Sequence, residues 1–521
     1  MQTVSAAFTA EEKDSVRSIV EGLLISWHRQ NLLGNKTFTI GVSTIGGNHI
    51  IGINPGAIGS PGNYKYFDET SHITHLGWER GFNMPTGGLT VGMAEANLDN
   101  TSGRFTPRYM GGNSELFTAI LPSRPMIINA GFKIKGVDTT LPEFAGIISE
   151  QPNVDMRDRS VSLKAFDYMS YFQNKYLDRS AIFTAQRTDQ IMSTLLINQL
   201  GMSTAQFDLD YGINIIPFGI FDIGTKMSDI FGQLAEAENG HFYQDESGIF
   251  KFENRQHWDS APFNQVQRVI STSMVLGAEA PSSDHLINVV EVKSTLRAKQ
   301  PLRPIMDFNS STPIAPNSTV DLFFNYDSPV LQVITPSATG SDSYYAANSA
   351  TDDSGIDVTS SVTVKEISNF ATTSKITFKN SSSSTVFLNH VVISGREAAE
   401  ISSLYTRLQD DSSVTAYDIH SLSIENPLIQ NSDWANSYAQ MILNDFSNIE
   451  NLQQITIRAV PELQLGDLIS WQGRYWRVFD IKTTIDPAVG FIQELMLLQR
   501  NITTYFRIGI STIGSKDSIA P

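Results

Sequence analysis

The chain is 521 residues long, room for several domains, and is 41% hydrophobic but only 17% charged, below the usual share of about a quarter. A net charge of −17 with no run of Lys and Arg argues against a protein that wraps phosphates, because that task needs clustered cations. Cysteine is absent, which excludes disulfides, thiolate nucleophiles and Cys-based zinc sites.

The opening MQTVSAAFTAEEKDS has neither a basic n-region nor an apolar h-region. No apolar run approaches the ~18 residues a membrane helix needs. The expectation is a soluble protein made in the cytoplasm, in which the Asn-x-Ser/Thr triplets at Asn35, Asn100, Asn317 and Asn380 carry no glycosylation meaning. With Ser, Thr, Asn and Gln supplying the polar balance, the fold class expected is mainly β with α+β content.

Residues 1–34 predict an amphipathic helix over 9–33. Thr9 and Glu12 fit a capping box, Val16, Ile19, Val20, Leu23, Leu24 and Trp27 recur at helical spacing, and Gly34 is a stop. Two placements are open, on its own domain or as an arm on a neighbour. Residues 35–88 form a Gly/Asn-rich β segment. Its GAIGSPGN stretch (56–63) lacks the order of a phosphate cradle and reads as a turn cluster.

Residues 89–134 predict a strand, a long loop and a strand, punctuated by Asp99-Asn100, Gly103, Arg104, Phe105, Pro107, Gly111-Gly112 and Arg124-Pro125. Met126, Ile128, Ala130, Phe132 and Ile134 share one parity, so one face of the second strand is buried. Residues 144–148, then Val161, Leu163 and Ala165, continue the meander. Consecutive half-buried strands favour a small barrel or a strongly curved sheet, giving a first β-barrel unit over 89–182.

Residues 183–256 read as an α+β module. A helix over 188–200 closes at Gly201; a second carries Met227, Ile230, Phe231, Leu234 and Ala235 and stops at Asn239-Gly240. Two strands about an Asp-Glu-Ser-Gly turn occupy 241–255. Residues 302–395 are crowded with Ser, Thr, Asn and Asp and predict an inserted β-rich lobe, with the NSSSS run (380–384) as a hairpin tip.

Residues 257–301 together with 396–500 predict a second β-barrel unit. In it, Trp434, Tyr438, Met441, Ile442 and Leu443 lie on a helix that leads into strands over 455–481 and 491–499. Residues 501–521 are expected to be a C-terminal strand and tail. FTIGVSTIGG (38–47) and FRIGISTIGS (506–515) match without a gap, as two copies of one short strand would.

The order LDN..GRF.P…GG…L…RPM.I…GF, with FAGIISEQPNVDMRDRSVSLKAFDYMSYF (144–172) after it, resembles the baseplate-hub family of long-tailed bacteriophages, also known as minor tail or tail-associated proteins. LAEAENGHFYQDESGIFKFENR (234–255) and IENPLIQNSDWANSYAQMIL…VPELQLGDLIS…YWRVFDI (424–481) are similar to its middle and C-terminal segments. The resemblance runs from about 89 to 500, interrupted by the insertion. Its single motifs are loose, while their shared order is fairly specific. It implies a homotrimer whose chains each carry two barrel-like hub units, so that six units can stack on a sixfold tail tube. Implied partners are a distal tail protein, the tape-measure protein and a tail fibre or tip protein, with DNA only in transit. The implied location is the virion tail tip, assembled in the host cytoplasm.

No catalytic, cofactor-binding or metal residue is assigned, and the expectation is a structural protein without cofactors. His72 and His75 form HxxH without an HExxH helix or a third ligand and read as surface loop histidines. GVSTIG and GISTIG miss the spacing of a nucleophile elbow. Asp352, Asp353, Gly355 and Asp357 lack the closing Glu of a calcium loop. Asp208/Asp210 is a carboxylate pair whose separation in space sequence does not give. Two alternatives remain. One is a cell-wall hydrolase; the other is a receptor-binding adhesin acting through Phe323, Phe324, Tyr326, Tyr344 and Tyr345 of the lobe, which otherwise fill its core.

Overall fold

The computed structural model describes residues 1–13, 17–27, 66–279 and 283–500. The twin segments 38–47 and 506–515, the turn cluster 56–63 and the expected C-terminal strand lie outside the described residues.

The first helix, α1 (Ala6–Lys13), is short, and the chain then enters strand β1 (Ile19–Ile25). The single helix expected over 9–33 is therefore wrong. Ile19, Val20 and Ile25 are β-branched, Gly22 weakens a helix, and all seven residues of β1 pair with a later strand, from Ile19↔Phe132 to Ile25↔Met126. Ser5, not Thr9, caps α1, its Oγ accepting from the Phe8 amide at 3.2 Å. Of the two placements open to the N-terminal segment, the structure has it on its own chain: Phe8 meets Phe132 with ring centroids 5.1 Å apart, and the Gln2 amide donates to the Glu462 carbonyl at 2.8 Å.

Five strands come next: β2 (Ile73–Gly81), β3 (Met93–Asp99), β4 (Pro125–Ile134), β5 (Val137–Ile148) and β6 (Ser160–Asp167). Helix α2 (Thr188–Asn198) ends before Gly201, whose positive φ of 66° suits the stop, and α3 (Met227–Ala237) precedes the hairpin β7 (His241–Gln244) and β8 (Phe250–Glu253). Then come β9 (Val275–Ala278), β10 (Val289–Lys299), the lobe strands β11 (Thr319–Asn325), β12 (Val362–Asn369) and β13 (Thr373–Asn380), and the long β14 (Val386–Gln409). Helix α4 (Ser432–Phe446) leads into β15 (Leu452–Arg458), β16 (Leu468–Trp471), β17 (Arg474–Asp486) and β18 (Gly490–Arg500).

The chain is mainly β, as expected, and its largest element is one 14-stranded sheet. Its path is β9-β15-β18-β17-β2-β3-β6-β5-β4-β1, ending on the two-residue strand Phe67–Asp68. Among the described residues this path is open at both ends and does not close into a barrel. Six consecutive pairs between β2 and β17, from Asp480↔Gly81 to Ile485↔Leu76, join the two halves of the sheet; the first half takes β1 and β2 from before residue 89, through their pairing with β4 and β3, and so begins earlier than the unit expected over 89–182.

Three cores lie beneath these sheets. One is under the first half (Leu23, Trp78, Ile128, Phe132, Leu163) and takes in Ile485 and Phe491 from the second. A larger one unites α2, α3, α4 and the second half, and the third fills the lobe with Phe324, Tyr345, Ile376, Phe378 and Leu388. The lobe is tied to the rest by β14, which runs from the lobe core into an eleven-pair ladder with β10. The NSSSS run is not a hairpin tip, because β13 and β14 belong to different sheets. Asn380 is instead fully buried and its amide donates to the carbonyls of Ile314 (3.0 Å) and Ser384 (2.7 Å), fixing a crossing between layers.

Candidate functional site: the joint between the two sheet halves

At Gly81 on β2 the partner residue on β17 is Asp480, and a Cβ on Gly81 would come within 2.1 Å of its Oδ2. A side chain at Gly81 would have to displace the Asp480 carboxylate. The preceding residue, Arg80, points inward and is 5% exposed. Its guanidinium is hydrogen-bonded to Glu246 from the β7–β8 turn, itself 4% exposed. Gln464, from the loop before β16, donates to the other Glu246 oxygen at 2.8 Å. Three separate stretches of chain thus meet on one ion pair.

More carboxyls surround this pair. Burial pushes Glu246 up, but Arg80 more than offsets it and holds the carboxyl below its ordinary range. Glu143 on β5 has no such direct bond, and burial carries it well above the carboxylate range. Asp167, at the end of β6, is pushed up to about 7 by burial, although it accepts from the amides of Gly92 (2.7 Å) and Met169 (3.0 Å). Asp480 also rises to about 7, first by burial and then by repulsion from Glu79. A cavity of about 380 Å³ opens beside it, lined by Glu79, Arg80, Phe82, Leu89 and Met93 among others.

The N-terminal segment adds a second ionic contact on the same side. Glu12, 1% exposed, pairs with Arg268, which also approaches Glu462 at 3.6 Å. Arg17 donates to the carbonyls of Ala459 (2.9 Å) and Phe491 (3.2 Å) while its guanidinium lies over the Phe132 ring. Residues from the first half, the second half and the N-terminus are bonded together. Chemically this arrangement holds parts at fixed positions, since Arg80, Arg268 and Arg17 each bind groups contributed by a different stretch of the chain.

The long loop after β3 is built in the same way. Arg104 grips the fully buried Glu69 with two bonds of 2.9 Å, and the Trp27 indole donates to the same carboxylate at 2.9 Å. Asn100 is buried, accepts from the Phe105 amide at 2.8 Å and donates to Thr106 at 3.1 Å. The punctuation in this loop is structural.

The other residues singled out in the sequence are dispersed. His72 sets its ring edge-on to Phe105, while His75 bridges Glu95 and Asp486 at 3.2 Å each. Asp208 pairs with Lys251, and Asp210 with His257 at 2.8 Å. Asp352 and Asp357 accept from the backbone amides two residues on, and Asp353 accepts from Asn389. No group of three or more metal-ligating side chains is found among the described residues. Of the lobe aromatics, Phe324, Tyr326 and Tyr345 are core, while Phe323 is 65% exposed.

The joint itself leaves no mark in the sequence. Its members lie as far apart as Gly81 and Asp480, and single charged residues on strands and turns look like ordinary surface until a partner is known.

No family model matches this sequence, and no curated protein matches it. Among solved structures the chain is similar to the 43 kDa tail protein of prophage MuSo2 from Shewanella oneidensis, with 10% identity, 84% of this chain and 95% of that one covered, and a TM-score of 0.43. It is similar also to the tail protein from Neisseria meningitidis MC58 (9% identity, 85% and 95% covered, TM-score 0.45). A third is prophage tail protein gp18 from Listeria monocytogenes EGD-e (9% identity, 85% and 93% covered, TM-score 0.39). All three are tail proteins.

Proposed function

We propose that this chain is a structural protein of a phage tail tip, a baseplate hub that assembles as a homotrimeric ring. The observation that carries the reading is the β2–β17 ladder, which makes one continuous sheet out of two β units and is backed by the buried Arg80–Glu246 pair. Two units fixed in this way move as one body. Three such chains present six units around an axis, the arrangement that lets a threefold tip meet a sixfold tube. The order of sequence segments shared with baseplate hubs supports the same reading.

In this reading the ring lies between a distal tail protein and a fibre or tip protein, and encloses the end of the tape-measure protein. DNA passes through it without sticking. DNA carries a charge every ~1.7 Å of its axis, so an acidic wall repels it, and the net charge of −17 supplies acid in excess. The side chains of the joint do work of position, and the chain is read as non-enzymatic.

Electron microscopy of the purified protein tests the reading. Ring-shaped particles with an open centre and six similar densities are expected; compact single-chain particles at all concentrations would sink it.

A second reading is favoured by Phe323 alone. It stands on the outer face of the lobe sheet opposite Lys375, between Asp321 and Asn325, where an aromatic ring is available to a sugar. If the lobe is the receptor-binding element, Phe323→Ala abolishes binding of the intact protein to host cells; unchanged binding removes this reading.

A further inference from the structure

The chain leaves the α+β module through a short turn, His257–Asp259, that follows β8. His257 sets both ring nitrogens against carboxylates. Its Nδ1 lies 2.8 Å from Asp210 Oδ2, just after the strand Phe207–Leu209, and its Nε2 lies 3.4 Å from Glu253 Oε1, at the end of β8. A neutral imidazole carries one N–H and one lone pair, so it answers only one of these groups; an imidazolium offers an N–H to both. Glu253 is used as a carboxylate here, since one oxygen accepts from the Tyr243 hydroxyl at 2.7 Å and the other from the Trp258 indole at 3.1 Å.

The residues carried by this turn tie two parts of the molecule together. Trp258 stacks on His241 of β7, with ring centroids 5.2 Å apart, and also meets Gly466 of the second half, where a Cβ would come within 2.7 Å of the indole nitrogen. The His257 ring packs on Phe263 at 4.2 Å, and the Phe263 carbonyl accepts from Arg477 of β17 at 2.9 Å. Arg477 also donates to the Gly466 carbonyl at 2.6 Å and lies 5.1 Å from the Trp258 ring.

The groups that face His257 pull in opposite directions. Burial lowers its proton affinity and Arg477 adds to that, while Asp210 and Glu253 more than offset both and hold the ring above the ordinary histidine range. His241, pushed down to about 3 by burial, stays neutral beside it. Burial raises Glu253, and the charge on His257 opposes that rise.

We propose that the His257–Asp259 turn is a pH-sensitive latch between the α+β module and the second half of the sheet, closed while His257 is an imidazolium and released when the ring loses its proton. Loss of the proton leaves one carboxylate facing a lone pair, and Trp258 and Phe263, held through this ring, lose their anchor. The latch contributes its full stabilisation below about pH 6.5, the unfolded histidine value, and loses it as pH rises through the higher folded value.

Hydrogen exchange of the full-length chain, corrected for the intrinsic rise of exchange with pH, tests the latch. Between pH 6 and pH 9 the protection of amides in residues 256–268 is expected to fall roughly tenfold further than the protection of β4. Asp480 titrates in the same range, so two variants separate the groups. Asp210→Asn takes one carboxylate from His257 and is expected to move the release to lower pH. His257→Gln is expected to leave 256–268 weakly protected at both pH values. Protection of 256–268 that follows β4 throughout, an unchanged release in Asp210→Asn, or a pH-dependent release retained in His257→Gln would each overturn the proposal.

Discussion

Arg80 on β2 and Glu246 in the β7–β8 turn form a buried ion pair at the point where the two halves of the long sheet meet. Bringing two charges out of water is costly, and their attraction offsets that cost only while both are present. Removing one member leaves the other charged and unpaired. Glu246→Ala is therefore expected to destabilise the protein by about 3–5 kcal/mol. Arg80→Met with Glu246→Leu is expected to cost much less, because no charge remains buried. Urea denaturation of the two variants checks the order, and equal losses would show that shape rather than charge holds the joint.

The raised carboxyls near this pair set a pH dependence. Asp480 is held neutral in the folded chain up to about 7, first by burial, while an unfolded Asp ionises near 4. Between those values the folded state binds more protons, so stability is greatest below about pH 4 and is lost as pH rises through about 7. Asp167 contributes in the same direction. In Asp480→Asn the fall in Tm between pH 5 and pH 8 is expected to be smaller than in the parent chain. An identical fall would mean that Asp480 is not the group that titrates.

Arg104 and Glu69 hold the long loop after β3 by a two-point grip. Arg104→Ala leaves a fully buried carboxylate with the Trp27 indole as its remaining donor among the described residues, at an expected cost of about 2–4 kcal/mol. Arg104→Lys is expected to recover little, because an ammonium does not reproduce the planar fork. Thermal denaturation of both variants measures the difference.

Gly111 and Gly112 are adjacent but differ in what they require. Gly111 has φ of 84° with nothing within 4 Å of a new Cβ, so Gly111→Ala is expected to cost about 1 kcal/mol of backbone strain. A Cβ on Gly112 would lie 1.8 Å from the Thr106 carbonyl oxygen. Gly112→Ala must move the loop backbone and is expected to cost clearly more. Equal Tm values for the two variants would count against this packing.

The features legible in the sequence are those that local pattern controls. α3 shows in Ile230, Phe231 and Leu234 with its Asn239-Gly240 stop, and β4 in the parity of Met126, Ile128, Ala130 and Phe132. The lobe aromatics Phe324, Tyr326 and Tyr345 fall into the core, where hydrophobic burial is the stronger pull. β1 is ambiguous because Ile19, Val20, Leu23 and Leu24 satisfy helical spacing as well as a strand; pairing with β4, more than a hundred residues on, decides between them. The joint is illegible for a related reason. Arg80, Glu143, Glu246 and Gln464 are ordinary polar residues one by one, and they come from β2, β5, the β7–β8 turn and the loop before β16, which meet only in the folded chain.

If this two-unit body is one third of a ring, mass measurement of the native protein is the most direct test. A dominant species at three times the chain mass, persisting on dilution into the micromolar range, is the predicted result. A single-chain mass under the same conditions, with the sheet intact by circular dichroism, would contradict it.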